Sequence, residues 1–237
     1  MASRELTLAI DDGKPLEVKR LLDSGIPLKM EQFLLAISFK NLAILETILS
    51  SGWDINTEVN GYIPSALAHT FDDEELLNWF LTHGANPNKS CRIRDCTPLS
   101  YAVKEASFGI IQRLVQYGGQ STQGQLLHYA SMREDEDGYD ILRFIYNLNP
   151  EFNGLQINKL LDEESQYYLM YQRSGHCTPL QYAAINGSEE MVQFLLDRGA
   201  NPGCMDSYRR TAISYAVRYH HEKVTGILKR WMDSVQT

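Results

Sequence analysis

The residues most able to do chemistry are four cysteines, Cys91, Cys96, Cys177 and Cys204, and six histidines, of which His176 adjoins Cys177. Thiolates and imidazoles converging from several segments would suit a structural zinc ion, and such sites are marked by Cys-x-x-Cys knuckles. No knuckle is present. Cys91 or Cys96 with His176 and Cys177 therefore reads as a set of small buried hydrophobes, and neither metal nor cofactor is expected. Hydrolytic and phosphate chemistry leave other marks: a His-Glu-x-x-His helix, a Gly-x-Ser-x-Gly elbow, a glycine-rich phosphate loop. The chain carries none of these. It is read as non-catalytic, since a catalytic site would have to be assembled from scattered serines and histidines.

The balance of residues narrows the class further. With 43% hydrophobic and 22% charged residues the chain has the make-up of a folded water-soluble protein. A formal charge of −8 opposes general binding to nucleic acid or to an anionic membrane, both of which need a basic surface. The opening MASRELTLAIDDGKP lacks an apolar stretch of signal-peptide length, and no run approaches the ~18 apolar residues of a membrane span. Sparse, unpatterned cysteines suit a reducing compartment, so a cytoplasmic location is expected, with the nucleus left open.

The elements that would position any site emerge from internal repetition. Four stretches align: GYIPSALAHTFDDEELLNWFLTHGANPN at 61–88, DCTPLSYAVKEASFGIIQRLVQYGG at 95–119, GHCTPLQYAAINGSEEMVQFLLDRGANPG at 175–203, and RRTAISYAVRYHHEKVTGILKRW from 209. In the last three of them a threonine suited to capping (Thr97, Thr178, Thr211) precedes a short helix, and Pro98 and Pro179 take the first position of two of these helices. Leu99, Ala102, Leu180 and Ala183 give that helix a narrow face of small and apolar residues. Ile110, Ile111, Leu114 and Val115, like Met191, Val192, Leu195 and Leu196, stripe a second helix. Gly84, Gly118 and Gly199 end it, and Asn86-Pro87 and Asn201-Pro202 lead into an extended turn.

The sequence Thr178-Pro179-Leu180, Tyr182-Ala183-Ala184, Leu195-Leu196 and Gly199-Ala200-Asn201-Pro202 resembles the ankyrin-repeat consensus, and the last copy starts about 33 residues after its neighbour, which is that family's period. The resemblance implies an all-α solenoid of about seven helix–turn–helix repeats with β-turn or hairpin fingers. Two degenerate copies, marked by Leu6, Ala9, Leu21, Leu22 and Gly25 and by Leu34, Leu35, Ala36, Ile48, Leu49 and Gly52, extend it to the N-terminus. The expected boundaries are 1–28 for an N-terminal cap, then 29–57, 58–90, 91–121, 122–174 and 175–206, with 207–237 as a C-terminal cap. A lengthened finger before a Thr-Pro-Leu repeat is also similar to small stand-alone ankyrin-repeat proteins of filamentous fungi.

The fifth copy departs most. It starts Gln125-Leu126-Leu127-His128-Tyr129-Ala130, and the run Glu134-Asp135-Glu136-Asp137 lengthens the link between its helices, which reads as a solvated loop. His128 stands at the histidine position of the family's Thr-Pro-Leu-His motif, where Ser100, Gln181 and Ser214 stand in other copies. The resemblance gives it a structural hydrogen bond to its own helix start, and no pKa-tuning partner for a general base is evident. Between Ile145 and Thr178 the chain carries roughly 17 extra residues, an insertion between repeats five and six. Its aromatic stretch, with Tyr167, Tyr168 and Tyr171, is open to two readings: contact with a partner, or packing back onto the array.

Ankyrin-type arrays meet partners with their fingertips and the exposed side of their first helices. Carried onto this chain, that gives Tyr62 and Phe71 in the third repeat, Ile93, Arg94 and Lys104 in the fourth, and Met132 and Arg133 in the fifth. The sixth contributes Ile185 and Asn186, and the last contributes Tyr208, Arg209, Arg210, Arg218 and Tyr219. The last set, with His220 and His221, is a basic and aromatic cluster on an acidic chain, suited to an acidic or extended segment of another protein. Pairing of these arginines with the chain's own carboxylates is the competing reading. The expected function is a monomeric protein-binding scaffold or adaptor; a transcription co-regulator or degradation adaptor acting through partners is the alternative.

Overall fold

The computed structural model describes residues 2–170 and 176–235. The helices come in antiparallel pairs. An inner row consists of α1 (Ala2–Asp11), α3 (Met30–Ser38), a 3₁₀ turn (Ala66–His69), α6 (Pro98–Glu105), α8 (Leu126–Ser131), α12 (Pro179–Asn186) and α14 (Ala212–Arg218). Behind them lie α2 (Pro15–Asp23), α4 (Leu42–Ser50), α5 (Glu74–Thr82), α7 (Phe108–Gln116), α9 (Gly138–Leu148), α13 (Glu189–Leu196) and α15 (Glu222–Val235). Neighbours pack along the inner row, from α6 to α8 to α12 to α14, and outer helices follow the same order. Among the described residues this is an all-α repeat solenoid with one two-stranded hairpin, β1 (Glu58–Asn60) and β2 (Ile63–Ser65). No described helix is long and apolar enough to cross a membrane.

Small residues explain the close spacing of the inner row. Ala36, Ala102, Ala130, Ala183 and Ala216 are wholly buried where the inner helices meet. Larger side chains, Ile44, Leu77, Ile111, Ile141 and Val192 among them, fill the space towards the outer row. The caps behave as their sequence implies: Thr97 Oγ1 accepts from Ser100 N and Thr178 Oγ1 from Gln181 N, with proline at the first helical turn.

Polar clasps fix the register between repeats. The third residue of the inner helix works in two directions. Ser100 Oγ accepts from Thr97 N at 3.0 Å and donates to Gly124 O at 2.6 Å; Gln181 Oε1 accepts from Thr178 N while its Nε2 donates to Cys204 O and Arg210 O. A second clasp joins the fingers to the outer helices. Asn56, Asn88 and Asn158 each donate to a carbonyl in the turn of the following repeat, those of Gly84, Gly118 and Gly199. Each also accepts a backbone N–H two residues further on, from Asn86, Gln120 and Asn201.

Asn158 shows how the insertion is absorbed. Its clasp is the ordinary one, so the repeat register has resumed by that point. The extra residues are divided: one part forms the additional helix α10 (Pro150–Gln156), capped by Asn149, before the finger. The other lengthens the fingertip between Leu161, whose N–H donates to Cys177 O at 3.1 Å, and the next repeat. That tip includes α11 (Gln166–Met170).

Candidate protein-binding surface

Many of the positions expected to meet a partner are engaged inside the array. Arg133 is a correction: its side chain is buried, and Nη1 donates to Val103 O and Ala106 O at the end of α6, while its fork also pairs with Asp135. Asn186 repeats the pattern one step on, donating from Nδ2 to Ser131 O and Arg133 O. His221 Nε2 lies 2.8 Å from Ile185 O, the next step again. The last carbonyls of a helix lack intrahelical partners, so a donor from the following repeat satisfies them. A cation there also meets the negative end of the helix dipole. Sequence gives no warning of this, because the clasp depends on how two repeats are set against each other.

Arg94 is corrected in the same way. Its side chain is only 20% exposed, Nε donates to Asp162 Oδ2 at 3.1 Å, and Nη2 donates to the Tyr129 hydroxyl at 2.9 Å. Asp162 is completely buried and also accepts from Gln125 Nε2. Arg94 thus ties the fourth finger to the root of the lengthened fifth one. Ile93 is half-buried, its N–H donating to Gly61 O. Phe71 and Met132 pack partly buried against the core, and Tyr62 and Ile185 are also half-buried. Lys104 is exposed beside Glu105.

His128 is buried, and its Nε2 reaches Lys159 O at 2.8 Å, in the lengthened finger that leads to the next repeat, whereas the resemblance implied a bond to its own helix start. Burial pushes its pKa down to about 4, against smaller opposing effects of the Lys159 and Gln125 backbone and of Asp162. The ring is therefore neutral at pH 7 and donates from Nε2. In the insertion Tyr171 and the side chain of Tyr167 lie outside the described residues. Tyr168 is half-buried with its ring 5.2 Å from that of His176, while Leu169 and Met170 are 70% and 62% exposed. Among the described residues no group of three His, Cys, Asp or Glu side chains is placed to hold a metal.

The last repeat is different. Arg210 does pair with the chain's own carboxylate: Nε and Nη2 bind Asp206, which is buried and also accepts the Tyr215 hydroxyl at 2.6 Å. Burial works to raise the Asp206 carboxyl, but the Tyr215 hydroxyl, Arg210 and the Tyr208 N–H outweigh it and hold it below the usual range. So fixed, the Arg210 guanidinium lies between two rings, 4.4 Å from Tyr208 and 4.7 Å from Tyr215. Tyr215 stacks on Tyr219, and Tyr219 on His221, with centroids about 6.5 Å apart. The result is a continuous ladder from fingertip to helix end. Tyr208, Val217 and Tyr219 are about half exposed along it, with Arg209 and Arg218 exposed beside them.

The relatives agree with this architecture. The sequence profile for ankyrin repeats (three copies) matches residues 151–233. An ankyrin repeat protein of fowlpox virus (strain NVSL) is 30% identical over 164 aligned residues, covering 61% of this chain and 87% of the viral one. This chain belongs to the ankyrin-repeat family. A second ankyrin repeat protein, from Acanthamoeba polyphaga mimivirus, is 44% identical over 65 residues, 27% of this chain and 16% of that protein. Ankyrin repeats are general protein–protein interaction modules. Among the described positions expected to meet a partner, Tyr208, Arg209, Arg218 and Tyr219 of the final repeat are exposed, as is Lys104 in the fourth.

Proposed function

We propose that this ankyrin-repeat chain is a non-catalytic scaffold or adaptor, monomeric, that holds an acidic or extended segment of another protein against the groove side of its last repeat. The observation that carries the reading is the ladder Tyr208–Arg210–Tyr215–Tyr219, pre-set by the buried Asp206 carboxylate and flanked by Arg209 and Arg218. Tyrosine and arginine supply contact area with little ordering cost when already held in place. Cationic flanks on a chain of net charge −8 favour an acidic ligand at this end. A setting in the cytoplasm is part of the proposal, as is the kinship with small filamentous-fungal ankyrin proteins; the relatives reported above are viral.

The test is affinity capture from a native lysate with wild type and with a Tyr208→Ala, Arg218→Ala, Tyr219→Ala triple variant. These positions spare the Asp206–Arg210 pair, so the variant should fold as wild type does. Loss of a captured protein with the triple variant supports the reading. Equal capture moves the site away from the last repeat.

A further inference from the structure

The base of the fourth finger brings two thiols together. Cys91 N donates to Cys96 O at 2.9 Å, closing a four-residue tip, Arg92-Ile93-Arg94-Asp95. The same bond closes two other fingers, from Leu161 to Cys177 at 3.1 Å and from Asp206 to Arg210 at 3.0 Å. In the last of these the side chains of the two bonded residues meet, as the Asp206–Arg210 ion pair. At the corresponding places in the fourth finger the side chains are cysteines, close enough for each thiol to shift the titration of the other. An antiparallel pair that exchanges both backbone bonds has its Cα atoms about 5.5 Å apart, inside the range a disulfide spans; here one of those bonds, Cys91 N to Cys96 O, is present.

Both thiols are free, and both are buried. Cys91 nonetheless lines a cleft of about 440 Å³ between this finger and the root of the lengthened one, with Arg94, Gln125, Lys159 and Asp162 around it. A small molecule entering that cleft comes up against Cys91, which keeps 7% of its surface exposed while Cys96 keeps none.

We propose that Cys91 and Cys96 are a modification site: a dithiol that low-molecular-weight disulfides oxidise reversibly to an intramolecular disulfide. The neighbouring Cys96 and burial hold the Cys91 thiol above its usual range, so the first step is favoured at alkaline pH: the Cys91 proton leaves to solvent as its sulfur attacks one sulfur of the incoming R–S–S–R, forming a mixed disulfide and releasing R–S⁻. Cys96 then attacks the Cys91 sulfur and releases the second R–S⁻. The two protons of the dithiol end on the two released thiols, so two electrons pass from the protein to the reagent. The adjoining Cys91 thiol, the Tyr129 hydroxyl and the Arg94 guanidinium favour the thiolate of Cys96 against the opposing effect of burial, which suits it to the resolving step. The product pins the tip that carries Arg94, and with it the link to Asp162.

The test is incubation of the full chain with oxidised glutathione, followed by intact mass and mapping of the linked peptides. The expected result is loss of two hydrogens with Cys91 joined to Cys96, reversed by dithiothreitol. Cys96→Ser should instead trap one glutathione on Cys91, and Cys91→Ser should give neither product at this finger. Glutathione confined to the half-buried Cys204, or Cys91 and Cys96 still free in wild type, overturns the proposal. Because the wild-type map alone can fail, the conclusion does not depend on how the variants fold.

Discussion

The Nε2 atom of His128 lies 2.8 Å from the carbonyl oxygen of Lys159, 31 residues further along the chain. One repeat later Gln181 makes the equivalent reach with an amide, to Cys204 O and Arg210 O. The two side chains do one structural job with different titration behaviour. An unfolded histidine gains its proton near pH 6.5, whereas burial holds His128 to about 4. Its folded pKa is depressed, so the neutral clasp contributes fully above pH 6.5 and is lost as pH falls towards 4. His128→Gln should keep the clasp and lose the titration. Between pH 7 and 4 the wild type should lose up to about 3 kcal/mol more stability than the variant, at ~1.4 kcal/mol per pKa unit. Denaturant unfolding of both proteins across that range checks it, and parallel curves would contradict the clasp.

Arg133 and Arg218 are both arginines near the end of an inner helix, yet they should respond differently. Arg133→Ala leaves Val103 O and Ala106 O without their donor in a buried place. It should cost about 2–4 kcal/mol. Arg218→Ala removes an exposed side chain and should shift stability by less than about 0.5 kcal/mol. Equal effects in thermal melts would refute the division between clasp and surface.

Gly187 ends α12 with φ of +73°, and a Cβ there would run into the His221 ring. Gly187→Ala should therefore lower stability by about 1–3 kcal/mol through backbone strain and displacement of His221 from Ile185 O. A melting temperature equal to wild type would show that the ring moves aside freely.

Ala183 is wholly buried in α12. Ala183→Asp places a charge in that contact and should cost several kcal/mol. Because each repeat is supported by its neighbours, hydrogen exchange should rise most in α8 and α14, which flank α12, rather than in α1. Uniform loss of protection would argue for an all-or-none domain.

The architecture was readable from sequence wherever local rules decide it. Thr178-Pro179, the small face at Ala183 and the turn at Gly199 each act within a few residues, and their recurrence carries the fold. The insertion was located but not divided, since nothing in the residues around Gly154 announces that Asn158 resumes the clasp made by Asn56 and Asn88. Arg94, Arg133 and Asn186 were placed on the interaction surface because polar residues at those positions usually face solvent. Their actual partners lie some 30 to 70 residues away, set by the rotation of one repeat on the next. Tyr208 and Tyr219 were placed on the same surface by the same rule, and there the structure leaves both about half exposed.

The central claim, that the exposed ladder of the last repeat holds a protein partner, is tested most directly by site-specific photo-crosslinking. A benzophenone side chain would replace Tyr219 in one protein and Tyr117, equally exposed beside α7, in another. The prediction is a crosslink from position 219 to one protein through an acidic segment, weakened by added salt and absent from position 117. A crosslink to the same protein from position 117 but not from 219 would contradict it.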